Sequence, residues 1–104
     1  MRRGEVWWAD LEPPAGRRPV VLLSRNESYV IRSLVTVAPV TTHIRRIPSE
    51  VRLGPDDGLP RPCVANLDAI TTVPKDCLRS RLTVLSPHKV REIESALHFA
   101  LGLR

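Results

Sequence analysis

The sequence predicts a mainly β fold, a small barrel of six or seven short strands with one C-terminal helix. Ten prolines and five glycines are spread along the 104 residues, which suits many short strands better than a helical bundle. Short apolar or alternating runs lie between them, as strands of a barrel require. Only the stretch after Ser86 has apolar residues at helical spacing. A chain of this length predicts one domain, residues 1–104.

The first two expected strands are the most apolar. Residues 5–11 contain Trp7 and Trp8, whose side chains must point to opposite faces because strand side chains alternate. We expect one tryptophan in the core and the other at a surface or an interface. Residues 19–24 form a continuous apolar run, which is typical of a strand buried on both faces.

The middle of the chain predicts shorter strands. Residues 34–40 form a third strand, which Pro39 ends because proline has no N–H to donate. Residues 49–53 alternate, with Glu50 and Arg52 on the solvated face. The remaining segments are a loop with at most one helical turn at 25–32, a turn at 54–58, and short strands at 63–66, 69–73 and 82–85.

The C-terminal helix has a clear beginning and end. Ser86 is a good N-cap, and Pro87 suits the first helical position, where its missing donor costs nothing. Gly102 ends the helix. The apolar residues at helical spacing are Val90, Ile93, Ala96, Leu97, Ala100 and Leu101, and we expect Phe99 to pack in the helix interface as well.

The charge balance indicates a polyanionic partner. Sixteen basic residues exceed eleven acidic ones, for a formal net charge of +5, and lysine occurs only at Lys75 and Lys89. Arginine bonds a phosphate in two places at once, which lysine does not. Nucleic acid or an acidic protein tail fits this charge, and the alternative is a merely basic soluble surface.

The sequence excludes several function classes. It has no P-loop, dinucleotide fingerprint or nucleophile elbow. His43, His88 and His98 have neither ligand spacing nor a nearby cysteine cluster, so we expect no metal and no cofactor. Cys63 and Cys77 are consistent with ordinary thiols in a reducing compartment. With no signal peptide or membrane-spanning run, we expect a cytoplasmic protein with no membrane partner.

Arginine and threonine mark the candidate site. Arg18, beside Arg17, precedes the very apolar second strand, and a side chain at the mouth of a rigid strand is held in place, as an electrostatic catalyst requires. The alternative is a solvated pair. Thr41 and Thr42 close the third strand, where their hydroxyls either act on a ligand or cap a turn.

The loop after these threonines is also basic. Arg45 and Arg46 can track phosphates, and a solvated charge run is equally consistent with them. His43 lies close to Thr41 in sequence. Tyr29, in the loop after the second strand, is a candidate to stack on a base.

Five short segments follow one another across nearly the whole chain. They are residues 3–11 (RGEVWWADL), 16–24 (GRRPVVLLS), 37–42 (VAPVTT), 64–68 (VANLD) and 81–86 (RLTVLS). Each is weakly diagnostic, and their order is specific. In this order they resemble the MazF/PemK family of RNA interferase toxins.

The resemblance implies a CcdB/PemK-like fold, an SH3-like barrel with a C-terminal helix. It also implies a homodimer that cuts single-stranded RNA without a metal, leaving a 2′,3′-cyclic phosphate and a 5′-hydroxyl. A cognate acidic antitoxin would neutralise it. Two alternatives share the barrel: a CcdB-like gyrase poison and a non-catalytic RNA-binding protein.

The resemblance also assigns residues. The catalytic arginine of the family falls on Arg18 and its threonine on Thr41, with Thr42 as the alternative. Asp68 falls where relatives often contact RNA bases, but Ala69 replaces a polar base reader. The first loop is shorter than in many relatives. The residues expected to bind RNA are Arg17, Thr42, His43, Arg45 and Asp68.

Overall fold

The computed structural model describes residues 1–103. Three short 3₁₀ turns, at residues 55–57, 67–69 and 75–77, connect the regular elements. The strands and helices are β1 (Glu5–Asp10), β2 (Arg17–Leu22), α1 (Ser28–Ile31), β3 (Leu34–Thr41), β4 (Glu50–Leu53), β5 (Cys63–Asn66), β6 (Thr71–Pro74), β7 (Leu78–Val84) and α2 (Pro87–Leu101).

All the strands belong to one antiparallel system, which confirms the mainly β fold. The strand order is β4-β5-β3-β2-β1-β7, and β6 pairs with the first half of β3. Within residues 1–103, β4 and β7 remain at the two ends of this order and do not pair with each other. The sheet is therefore not closed, and "barrel" describes it only loosely.

The sheet buries a core on each face. Helix α2 covers one face with Ile93 and Ala96, against a cluster that includes Val6, Val21 and Val40. The second cluster includes Val20, Leu22, Val35, Val37 and Tyr29. Tyr29 is only 6% exposed, so its expected role in base stacking is wrong. Helix α1 carries this side chain into the core.

Several strand boundaries differ from expectation. The second strand spans Arg17–Leu22 rather than 19–24, because the pairing with β1 includes Arg17 and Arg18. Pro39 lies inside β3, paired with Val20, and does not end the strand as expected.

The last strand begins at Leu78, four residues earlier than expected, and pairs Leu78 with Ala9 and Arg81 with Trp7. The first residues after Leu78 are polar and exposed, so the sequence shows no strand pattern there. The pairing with β1 is made by backbone hydrogen bonds, which do not depend on the side chains. The expected strand at 69–73 begins instead at Thr71, after a turn in which the Asn66 side chain accepts from the backbone N–H of Asp68.

Helix α2 has the expected caps. The Ser86 hydroxyl accepts from the backbone N–H of Lys89 at 3.1 Å, and Gly102 takes the left-handed conformation at φ 69°. Phe99, however, is 60% exposed and does not pack between helix and sheet as expected, because Ile93 and Ala96 define the buried face. No helix within residues 1–103 has the length and apolar character to cross a membrane.

Candidate functional site

The start of β2 and the end of β3 meet at one rim of the sheet. The register pairs Val20 of β2 with Pro39 of β3. Arg18 lies two residues before Val20 on β2, and Thr41 lies two residues after Pro39 on β3. Side chains two residues apart on a strand share a face, so Arg18 and Thr41 are on the faces of Val20 and Pro39. The two candidate catalytic side chains therefore lie on neighbouring strands.

Arg18 is held by the loop before its strand. Its Nε donates to the backbone carbonyl of Ala15 at 3.0 Å, and the residue is half-buried. This bond uses one edge of the guanidinium and leaves the two terminal nitrogens as donors for a ligand. The side chain is thus oriented before any substrate arrives.

The Thr41 hydroxyl caps a turn, which was the alternative to a role in ligand binding. Its Oγ1 accepts from the backbone N–H of His43 at 3.2 Å. A hydroxyl that accepts in this way still has its own proton to donate. Turn capping and donation to a ligand are therefore compatible at Thr41. Thr42 and His43 are exposed beside it.

A pocket of about 160 Å³ opens next to Thr41. Trp8, which the sequence analysis did not name as a site residue, forms part of its wall. The only signal for it was the expectation that one of two adjacent tryptophans lies at a surface. The residues that line the pocket include Trp8, Pro19, Val40, Thr41, Thr42 and Arg61.

Arg17 lies over the Trp8 ring with 5.5 Å between its guanidinium carbon and the ring centroid. It also approaches the Asp10 carboxylate at 3.5 Å, while Nε of Arg79 donates to the same carboxylate at 2.6 Å. The hydrogen bond from Arg79 is the main cause that holds the pKa of Asp10 below its usual value, although partial desolvation opposes it. Arginines of β2 and β7, the two strands that neighbour β1, thus both contact Asp10.

The loop that carries Arg45 is held by hydrogen bonds to the Glu50 carboxylate. The backbone N–H groups of Arg45 and Arg46 donate to Oε1 of Glu50 at 2.9 and 3.1 Å, and the Arg45 guanidinium lies 3.6 Å from Oε2. The Glu50 side chain is 2% exposed, so its expected place on a solvated face is wrong. The loop bends back over this carboxylate, which fixes the path of the chain after Thr41.

Asp68 belongs to a different part of the surface. Its carboxylate accepts from the Ser49 hydroxyl at 2.5 Å. Thr41 pairs with Val64, at the other end of β5, so the structure does not bring Asp68 to Arg18 and Thr41. It lies instead beside the end of the loop that carries Arg45.

The remaining candidate groups have ordinary environments. Cys63 is 3% exposed, and its burial raises the pKa of the thiol. Burial also raises the pKa of Cys77. Within residues 1–103 there is no group of three or more histidine, cysteine or acidic side chains placed to hold a metal ion.

The family model described as PemK-like, MazF-like toxin of type II toxin–antitoxin systems matches residues 2–101. The chain belongs to this family. The match spans all five ordered segments, and the predicted resemblance to the MazF/PemK family is confirmed.

Named PemK/MazF relatives match along nearly their whole length. A probable endoribonuclease MazF5 from Mycobacterium tuberculosis is 43% identical over 100 residues, which cover 95% of this chain and 91% of that relative. The endoribonuclease MazF from Staphylococcus saprophyticus is 35% identical over 111 residues, covering 99% and 92%.

A solved endoribonuclease structure has the same fold. It is an endoribonuclease in complex with its cognate antitoxin from a mycobacterial species, superposes with a TM-score of 0.89 at 36% identity, and covers all of this chain and 97% of that one.

Proposed function

We propose that this PemK/MazF-family protein, acting as one toxin domain, cuts single-stranded RNA at specific sequences without a metal ion. Endoribonuclease is the activity named for its relatives. The observation that supports the proposal is that β2, which carries Arg18, pairs with β3, which carries Thr41, and that an open pocket adjoins Thr41. Cutting leaves a 2′,3′-cyclic phosphate and a 5′-hydroxyl.

The RNA supplies its own nucleophile. The 2′-hydroxyl gives up its proton to solvent as its oxygen attacks the adjacent phosphorus. The bond to the 5′-oxygen breaks, and that oxygen takes up a proton from solvent, so the protons balance. The protein must then align the strand and stabilise charge on the phosphorane oxygens. The terminal nitrogens of Arg18 donate two hydrogen bonds to those oxygens and the Thr41 hydroxyl donates a third. With a pKa above ~12, arginine is a poor general base, so charge stabilisation is its role.

Five further residues guide the strand. Four of them are exposed: Arg17, next to Arg18 in sequence, and Thr42, His43 and Arg45, within four residues after Thr41. Asp68, beside the end of the Arg45 loop, contacts a more distant nucleotide in this proposal. Single-stranded RNA allows such contacts because its bases are free to splay.

The proposal includes two protein partners. Exposed apolar residues on and after α1 and at the end of α2, among them Ile31, Leu34 and Leu101, support a homodimer because it would cover them. Leu34 and Leu101 line one concave surface. The net charge of +5 supports an acidic cognate antitoxin. RNA as substrate and two free cysteines support action in the cytoplasm.

Cut-site mapping tests the function. Incubation with a mixed RNA pool and a chelator should give defined cuts with cyclic phosphate ends. Arg18→Ala and Thr41→Ala should each cut about 100- to 1,000-fold more slowly, the usual loss for one preorganised donor. Thr42→Ala should cut far better than Thr41→Ala.

Circular dichroism and sedimentation equilibrium serve as controls. Wild type and all three variants should be folded dimers. Full activity of Arg18→Ala, or loss of wild-type cutting in the chelator, would contradict the mechanism. Binding of RNA without any cut would instead indicate a non-catalytic RNA-binding protein.

A further inference from the structure

The loop between β3 and β4 carries three of the residues expected to bind RNA. Thr42, His43 and Arg45 are exposed on it, directly after Thr41. Residues 42–49 form neither a helix nor a strand. A loop without its own backbone ladder depends on outside contacts to keep one conformation. The placement of these three side chains therefore depends on what holds the loop.

Glu50, the first residue of β4, holds this loop through both carboxylate oxygens. Its Oε1 accepts from the backbone N–H groups of Arg45 and Arg46 at 2.9 and 3.1 Å. Its Oε2 is buried without a hydrogen bond within residues 1–103, and the Arg45 guanidinium lies 3.6 Å from it. Arg46 takes the left-handed conformation at φ 61°, which a residue with a side chain keeps only where neighbouring contacts fix it.

The Glu50 carboxylate is costly to bury and does not bond the core. Its side chain is 2% exposed, and taking a carboxylate out of water is unfavourable unless partners compensate. Within the described residues, all its hydrogen bonds and ion pairs are to Arg45 and Arg46. An apolar side chain would suit a purely structural position at least as well. The carboxylate therefore acts on the loop.

We propose that Glu50 is a positioning residue of the RNA site, whose carboxylate holds the loop so that Arg45 meets a phosphate of the bound strand. The inference rests on the proposed function, because it explains how one RNA contact of that site is placed. The Arg45 side chain is 50% exposed, and a guanidinium held at one nitrogen still has donors for a phosphate. Glu50 acts through Arg45 and, being buried, does not touch the strand.

Substitutions of Glu50 separate positioning from net charge. Binding is measured by fluorescence anisotropy on a labelled single-stranded RNA that wild type binds, with the 2′-hydroxyl at any cut position replaced by hydrogen. Removing a carboxylate from a basic site should by charge alone tighten binding to a polyanion. Glu50→Ala should instead bind about 10-fold more weakly, because the loop is released. Glu50→Gln keeps an acceptor oxygen for the two N–H groups and should stay within about threefold of wild type.

The salt dependence and the kinetics identify the lost contact. Each phosphate contact on a single strand contributes about 0.7 to the slope of log affinity against log salt. Glu50→Ala and Arg45→Ala should each reduce the slope by that amount, and the double variant should lose little more than either, because both remove one contact. In the cutting assay the loss should appear in KM rather than kcat, since Arg18 and Thr41 keep their own contacts.

Two substitutions of Arg46 test the same contact from the loop. Proline has no N–H to donate and cannot adopt φ 61°, whereas glycine keeps the N–H and favours that conformation. Both remove the same side-chain charge. Arg46→Pro should therefore bind RNA more weakly than Arg46→Gly. Arg46 is exposed, so this pair keeps the test valid if Glu50→Ala does not fold.

Val51→Ala is the control for a general loss of stability. Val51 follows Glu50 in β4 and is 3% exposed in the core. Its variant should unfold at lower urea concentration with the salt slope and KM of wild type. An equal rise of KM in Val51→Ala and Glu50→Ala would overturn the proposal.

Three other results would also overturn it. They are binding by Glu50→Ala as tight as wild type, a loss in Glu50→Gln as large as in Glu50→Ala, and equal binding by the two Arg46 variants. Any of these with normal cutting by wild type rejects the role of Glu50 alone. The expected binding effects without cutting reject the nuclease alone, and a wild type that binds no RNA rejects both.

Discussion

Thr41 shows how one hydroxyl serves the fold and the proposed chemistry together. It accepts from the backbone of His43, which turns the chain at the end of β3. Its proton is free for a phosphate oxygen. Arg18 is similar, since its Nε bond to Ala15 orients the remaining donors. Preorganised donors of this kind lose little orientation entropy when the substrate arrives.

Asp10 should titrate below an ordinary aspartate, because Arg79 and Arg17 favour its charged form. Since the pKa is lower in the folded state, the stabilisation is present above the ordinary value of 3.8 and is lost as the pH falls through the folded value. Asp10→Asn should therefore be less stable than wild type at pH 7, with the gap closing near pH 2. Urea unfolding at the two pH values measures it.

Asp56→Asn is the matched control for Asp10→Asn. Asp56 is an exposed carboxylate with no ion pair among residues 1–103. Its stability difference from wild type should be small and should not depend on pH in this way. A gap for Asp10→Asn that persists at pH 2 would show that packing, and not charge, is responsible.

At the scale of elements, β1 organises the site. It lies between β2 and β7 and carries Trp8 and Asp10, which reach the pocket and the arginines of both neighbours. The register shifts between β1 and β7 at two points, so the two strands are not paired uniformly. Such irregularities redirect side chains and recur beside functional sites.

The N-cap of α2 should contribute measurably to stability. Ser86→Ala removes the acceptor for the Lys89 N–H and should lower the free energy of unfolding by about 1 kcal/mol. Ser95→Ala, at an exposed position inside the same helix, should leave it unchanged or slightly higher, because alanine favours helix interiors. Chemical denaturation measures both. Equal losses in the two variants would mean that the cap bond is not the cause.

At the scale of the whole molecule, positive charge dominates what the surface can bind. A net charge of +5 attracts RNA and an acidic protein segment alike, so the two should compete for the arginine-rich rim. Competition of this kind explains how a partner without RNA-like chemistry can block a nuclease.

The acidic product of the neighbouring gene should bind this protein and stop RNA cutting. Co-elution in size-exclusion chromatography, together with a cutting assay, measures both effects. The complex should weaken as salt rises, because exposed charges are screened. A version of the partner with its acidic residues changed to amides is the control and should bind more weakly. Separate elution of the two native proteins would refute the prediction.

Local pattern alone predicted most of the architecture. The apolar run of β2 and the Ser86 and Gly102 caps of α2 are properties of contiguous segments, and the structure confirms them. Arg18 and Thr41 were candidates because each adjoins such a segment. Their roles stay predictions until the variants are measured.

Only the tertiary structure decided which side chains are buried or brought together. Glu50 and Tyr29 are polar residues whose segments indicated exposure, yet a loop backbone covers one and the core encloses the other. The pocket beside Trp8 is completed by residues of three other strands and of the loop around Leu59. Periodicity reports the two faces of one segment, whereas burial depends on which distant segment packs there, so no local pattern contains that information.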